Sequence, residues 1–314
     1  MPRAFVTGAS GQDGSYLVER LLDEGYDVHA LALEGEGAAS ARVSTHVGDV
    51  ADVERIRALL LDLDPHEVYN LAAVSSVARS WEEPDLTSRV NGLAAAALLE
   101  SAFQVQERHG HAVRFVQASS AEIFGEPTVS PQDETTPIRP INPYGAAKAY
   151  AHLMVGVYRQ RGVHAVSAIL YNHESPRRPP HFVTRKITAG VAAILRGETD
   201  TITLGNLDAR RDWGWAPDYV DAMVRAARAP RAADYVVATG EGRTVRDFVT
   251  AAFDYAGVTQ WEQHIKVDPA LVRPADVTDL TGDSSKARAE LGWAPTLSFE
   301  DVVSRMVEGD RANS

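Results

Sequence analysis

Apolar residues follow two rhythms that alternate along the first half of the chain. Short, mainly apolar runs at 3–7, 26–33, 44–48, 67–72, 113–119 and 164–171 have the length and continuity of buried strands. Between them the spacing lengthens to that of helices. Leu17, Leu21 and Leu22 share one face of 15–24, a second helix over 52–62 is stopped by Pro65, and longer helices are read over 86–108 and 143–161. Strands alternating with helices at this interval predict an α/β protein, a Rossmann-type doubly wound parallel sheet, over residues 1–171. After Tyr171 the pattern loosens at Pro176, Pro179 and Pro180. Helical spacing returns at 182–196, 245–256 and 299–308, which predicts a smaller C-terminal α/β substrate lobe over 172–314. Chain within 212–240 is expected to return in part to the main sheet.

The chain has 314 residues, 45% hydrophobic and 24% charged, enough for a large core with a smaller partner lobe. A net charge of −12 argues against a nucleic-acid surface, which needs clustered Lys and Arg. It leaves room for a small anion gripped by a few Arg forks. The chain has no cysteine, which excludes disulfides, thiolate metal sites and Cys nucleophiles; no metal site is expected. No run approaches the ~18 apolar residues of a spanning helix. The N-terminus enters a strand at once rather than a basic and then apolar leader, so the expected location is cytoplasmic.

Between the first strand and first helix lies a glycine-punctuated turn, with Gly8, Ser10, Gly11, Gln12, Asp13 and Gly14. The spacing is G-x-x-G-x-x-G. Gly8 permits the tight turn, Gly11 lets the backbone approach a pyrophosphate, and Gly14 allows close helix–sheet packing. The amides and positive dipole end of the helix would face the phosphates. Three glycines can also be only a turn; the strand before and the helix after favour the cradle. Asp49 and Val50, past the third strand, would touch adenine, and Asp49 could equally cap the next helix. Leu71, Ala72 and Ala73, ending the fourth strand, are placed beside the same dinucleotide. Glu34 stands 20 residues past Gly14. An acidic residue there bonds a ribose 2′-hydroxyl and repels a 2′-phosphate, which favours NAD over NADP; otherwise it is a solvated loop residue.

Tyr144 and Lys148 are spaced i, i+4 and share a helix face. A neighbouring ammonium would lower the phenol pKa, so that Tyr144 could take a hydroxyl proton. Ser120 follows the fifth strand, 24 residues before Tyr144, and could bond the same hydroxyl or merely cap a turn. Glu122, two residues on, could remove a proton beside a newly formed carbonyl, or it could face solvent.

These features resemble the extended short-chain dehydrogenase/reductase family, and within it the GDP-mannose 4,6-dehydratases. The resemblance runs through TGASGQDGSYL (7–17), QASSAEIFG (117–125), NPYGAAK (142–148), NHESPRR (172–178), FVTRKI (182–187), LGNLDARRDWGWAPDY (204–219), YVVATGE (235–241), RPADV (273–277) and LGWAP (291–295), nearly the whole chain. It implies a tightly bound NAD(P) and an internal redox cycle. Tyr144, Ser120 and Lys148 would oxidise the sugar at C4, Glu122 would take the C5 proton, water would leave C6, and the hydride would return there. It also implies that Asn172, Lys186, Arg211 and Arg273 line the nucleotide-diphosphate site, each of which alone could be an ordinary surface or ion-pair residue. Asp276 would bond the nucleotide ribose or pair with Arg273.

The chain departs from the family pattern at four places. Ser120 stands for the usual Thr, Ala121 for Ser, and Val74-Ser75-Ser76-Val77 for Gln-Ser-His-Val. The basic segment after the second strand, which in the family grips the NADP 2′-phosphate and joins a tetramer, is shorter here and reads Leu33-Glu34-Gly35-Glu36-Gly37. A homodimer through helices 86–108 and 143–161 is expected, a tetramer being the alternative. The functional alternatives are a 4-epimerase or 4-keto reductase of the same fold, or a non-catalytic NAD-binding sensor. Glu122 speaks against the first and the intact Ser120–Tyr144–Lys148 set against the last.

Overall fold

The computed structural model describes residues 1–37, 40–271 and 279–312. In chain order the strands are β1 (Arg3–Thr7), β2 (Asp27–Ala32), β3 (Ser44–Val47), β4 (Glu67–Asn70), β5 (Arg114–Ala118), β6 (His164–Leu170), β7 (Asn172–Glu174), β8 (Ile202–Leu204), β9 (Arg210–Trp215), β10 (Asp234–Val237), β11 (Gly242–Thr244), β12 (Ile265–Val267) and β13 (Asp279–Leu280). The helices are α1 (Gln12–Asp23), α2 (Val53–Leu63), α3 (Val77–Glu82), α4 (Pro84–Thr87), α5 (Ala94–His109), α6 (Pro143–Gln160), α7 (Val183–Leu195), α8 (Ala216–Ala227), α9 (Val245–Tyr255), α10 (Ser285–Leu291) and α11 (Phe299–Ala312).

Seven parallel strands form the main sheet in the order β10-β6-β5-β4-β1-β2-β3. Ala4, Phe5 and Val6 of β1 are fully buried because helices cover both faces. One face packs α1 and α8 through Leu17, Leu21, Val220 and Met223. The other packs α2, α5 and α6 through Ile56, Leu60, Leu98, Leu99 and Val155. The chain leaves the sheet after β6 and comes back to it with α8 and β10. Beyond the carboxyl ends of the strands a smaller sheet centres on β9, paired with β7, β11 and β13. Its own core joins α7, α9 and α11 around Trp213, Phe248 and Phe299.

Two elements differ from the sequence expectation. The first helix begins at Gln12, three residues early, so Asp13 and Gly14 lie in its first turn. The helix expected over 86–108 is broken by a π-turn, Ser88–Leu93, between α4 and α5. The reason lies in tertiary contacts. The Asn91 amide clips the Val74 peptide, accepting from its N–H (2.8 Å) and donating to its carbonyl (3.1 Å). Gly92 faces Ala147 and Tyr150 of α6, where a Cβ would meet atoms at 3.3–3.4 Å. An extra residue in the turn serves both contacts. Among the described residues no helix is long and apolar enough to cross a membrane.

Candidate active site

At the carboxyl ends of the strands lies a cavity of about 350 Å³, between the main sheet and the smaller lobe. Such a crevice is where doubly wound sheets bind ligands, and its volume suits a small-molecule site. Ser120, Glu122, Tyr144 and Lys148 all line it, with Asp13, Leu71, Ala73, Asn172 and Arg211.

The glycine turn beneath it is sterically specified. Gly8 has φ +68°, and a Cβ there would come within 2.8 Å of the Ala72 N and 2.9 Å of the Leu71 carbonyl carbon. A Cβ on Gly14 would sit 2.1 Å from the Gly8 oxygen. At Gly11 only the Gly8 oxygen lies within 4 Å, so this face is open. Gly11 is also the N-cap of α1, which no side chain caps. An open backbone and an uncapped helix N-terminus fit a dinucleotide pyrophosphate. The Thr7 hydroxyl fixes the opposite wall: it accepts from the Leu71 and Ala72 amides (3.1 and 3.0 Å) and donates to Asn70 (2.7 Å). Asn70 donates to Gln117 (2.8 Å), and Gln117 to the Ala118 carbonyl (3.0 Å). The same carbonyl accepts from the Lys148 ammonium at 2.8 Å, so a buried polar ladder joins cradle to lysine.

Burial weakens the charge on Lys148 and brings its pKa down to about 8, with Asp13 opposing the shift. The ammonium lies 5.8 Å from the centre of the Tyr144 ring. Contrary to the sequence expectation, the Tyr144 hydroxyl is not made more acidic here. Burial pushes it up to about 12, the hydrogen bond with Ser120 works the other way, and the charge of Glu122 adds to the rise. Ser120 also accepts from the Glu122 amide (3.2 Å), so its turn-capping role and its contact with Tyr144 coexist. Glu122 is half-buried, and its Oε2 accepts from the Asn142 amide at 2.8 Å.

Several expected positions receive sharper geometry. Gln12 and Asp13 of the glycine turn hold β7: Gln12 donates to the His173 carbonyl (3.1 Å), and the Asp13 carboxylate bonds His173 Nε2 (2.8 Å). Burial disfavours charge on both partners, but their mutual attraction prevails, holding Asp13 below and His173 above the ordinary values. Ser10 meets Glu36, whose Oε2 lies 3.4 Å from the Ser10 hydroxyl and accepts from the Leu33 amide (3.1 Å). Glu34 is exposed at the turn, so the carboxylate reaching the cradle is Glu36. Asp52, not Asp49, caps α2, accepting from Arg55 N at 3.3 Å. Asp49 instead accepts from Ala51 N (2.8 Å), and Val50 is buried. Arg211 is buried with Nη1 on the Arg210 carbonyl (2.6 Å). Lys186 is exposed on α7 and is not among the residues lining the cavity. Arg273 and Asp276 lie outside the described residues.

Sequence reasoning missed His173, Arg178 and Ser119, which also line the cavity. Arg178 pairs with buried Glu174 (3.2 Å) and lies over the Phe182 ring (3.7 Å). Ser119 Oγ is buried with no hydrogen-bond partner among the described residues, on a residue that lines this ligand-sized space. The signals were the polar run NHESPRR, from which only Asn172 was assigned, and the first serine of QASSAEIFG.

The model of the GDP-mannose 4,6 dehydratase family matches residues 5–306. An Arabidopsis thaliana GDP-mannose 4,6 dehydratase is 43% identical over 98% of this chain and 89% of its own. A Thermus thermophilus UDP-glucose 4-epimerase solved with NAD is 30% identical, with a TM-score of 0.87 over 99% of this chain and 100% of that one. A Streptomyces venezuelae dTDP-glucose 4,6-dehydratase solved with NAD superposes with a TM-score of 0.86 at 25% identity, over 99% and 97% of the two chains.

Proposed function

The chain belongs to the GDP-mannose 4,6-dehydratase family, and from that premise we propose how its cavity carries the reaction. The protein is a nicotinamide-dependent nucleotide-sugar 4,6-dehydratase, a hydro-lyase. We take GDP-mannose as its substrate and the 4-keto-6-deoxy sugar nucleotide as its product. A bound nicotinamide dinucleotide supplies the hydride acceptor, the returning hydride and, when oxidised, a positive charge beside the phenol. Gly8, Gly11, Gly14 and the N-terminus of α1 would hold its pyrophosphate, and Lys148 would reach its ribose.

Tyr144 takes the C4 hydroxyl proton, with Ser120 bonding both the phenol and the sugar oxygen. Its high pKa means that Tyr144 acts as a base only as the phenolate, the form that positive charge from Lys148 and from an oxidised cofactor would favour. The C4 ketone acidifies C5, Glu122 takes that proton and passes it to the C6 hydroxyl, which departs as water. Asn172 and Arg211 would bind the nucleotide diphosphate, Arg offering paired donors to phosphate oxygens. Lys186, Arg273 and Asp276 are proposed there from the family resemblance alone.

The observation that carries this reading is the convergence of Ser120, Glu122, Tyr144 and Lys148 on one cavity. A 4-epimerase needs no base at C5, so Glu122 favours elimination. Glu122→Gln should still oxidise C4, giving a nucleotide sugar two hydrogens lighter, while losing dehydration about a hundredfold or more. Normal dehydration by this variant would remove Glu122 from the mechanism. We further propose NAD as the preferred cofactor, since Glu36 beside Ser10, with Glu34, would repel a 2′-phosphate. Cofactor released by denaturation should lack that phosphate; finding it would overturn the preference.

A further inference from the structure

We propose that Asn142 is the positioning residue of the elimination base, and that its one amide aligns Glu122 with the helix carrying Tyr144. The proposal rests on the role of Glu122 given above. Asn142 is the N-cap of α6: its Oδ1 accepts from Gly145 N at 2.7 Å. Any good capping residue would do that much. The other half of the amide does something a cap does not require. Nδ2 donates to Glu122 Oε2 at 2.8 Å, across 20 residues of sequence. Asn142 is only 5% exposed, so the contact is shielded from competing water.

A second observation points the same way. The backbone of Glu122 lies against the first turn of α6. A Cβ on Gly145 would stand 2.4 Å from the Glu122 carbonyl oxygen. Gly145 thus permits the main-chain approach while Asn142 orients the side chain. Two residues on from Asn142, Tyr144 lies in the first turn of the same helix, and its own amide donates to the buried Ser80 hydroxyl at 3.2 Å. The group acting at C4 and the group acting at C5 are therefore referenced to one helix end. With Oε2 engaged by the Asn142 amide, Oε1 is the oxygen left for the substrate, which fixes the direction of proton removal.

The discriminating variants keep the cap and change only the donor. Asn142→Asp is isosteric and an equally good N-cap, but it sets a second carboxylate against Glu122. Two carboxylates at this distance share a proton, so the base is lost as an acceptor. We expect dehydration kcat to fall about ten- to a hundredfold, with KM for GDP-mannose within about threefold of wild type and thermal stability unchanged. The oxidised sugar nucleotide, two hydrogens lighter than substrate, should accumulate in quenched single-turnover samples. Asn142→Ser, which caps but is too short to reach Glu122, should show the same accumulation with a smaller fall. A purely structural Asn142 predicts wild-type kcat for Asn142→Ser, which keeps the cap and adds no charge, and that result overturns the proposal. Glu122→Gln, run alongside, separates the two claims. If it dehydrates normally, the role of Glu122 fails; if it is blocked while Asn142→Ser is normal, only the positioning claim fails.

Discussion

Lys148 shows most directly how one residue trades stability for chemistry. It is 3% exposed, and burial lowers its pKa from 10.5 to about 8. Between those values the unfolded chain binds a proton that the folded chain does not. The buried ammonium is therefore destabilising in full below pH 8, and the penalty fades as pH rises towards 10.5. The shift corresponds to a penalty on the order of 3 kcal/mol at neutral pH. Lys148→Met should raise the urea midpoint at pH 7, with the gain shrinking to nothing near pH 10.5, while turnover drops about a hundredfold or more. A variant less stable than wild type at pH 7 would contradict this. Tyr144 obeys the same physics with the opposite sign, since burial disfavours its phenolate and pushes the hydroxyl up to about 12. A sequence shows that Tyr144 and Lys148 share a helix face. It does not show how deeply either is buried, which is why the phenol was expected to be acidic and is not.

At the scale of elements, what could be read from sequence was what local spacing controls. Ala4, Phe5 and Val6 mark β1 because a strand covered on both faces must be apolar throughout. The glycine turn was legible because Gly8 and Gly14 each meet a backbone constraint, and Gly14 tests it. A Cβ there would fall 2.1 Å from the Gly8 oxygen and 2.6 Å from the Ala9 Cα, both rigid main chain. Gly14→Ala should cost about 3 kcal/mol in denaturant unfolding and leave the purified protein depleted of cofactor; unchanged stability would refute that packing. Features set by distant partners were not legible. The π-turn at Ser88–Leu93 answers to Val74 and α6. Glu36 rather than Glu34 meets Ser10 because the turn after β2 folds back on itself, and Asn142 reaches Glu122 through a contact invisible to periodicity. The hydrogen bond from His173 to Asp13, between residues 160 apart, is another such case.

For the whole molecule, the face of α6 and the adjoining π-turn carries a cluster of exposed apolar side chains. Tyr150, Leu153 and Val157 lie along one side of α6 and are 41%, 57% and 49% exposed, with Leu93 of the adjoining π-turn 55% exposed. Side chains at this spacing form a continuous stripe, of the kind that marks an interface. Paired α5–α6 faces would bury it in a symmetric dimer. We expect sedimentation to give a dimer, and Leu153→Glu with Val157→Glu to give a folded monomer; a monomeric wild type or an unaffected variant would contradict the assignment. The central chemistry is elimination of water from a nucleotide hexose without net consumption of cofactor. The most direct test is to incubate the purified protein with GDP-mannose and follow the nucleotide sugar by mass spectrometry. We predict complete conversion to a species one water lighter that bears a ketone, with less than one equivalent of cofactor per product. A product of unchanged mass, or turnover that stops when the cofactor is spent, would contradict it.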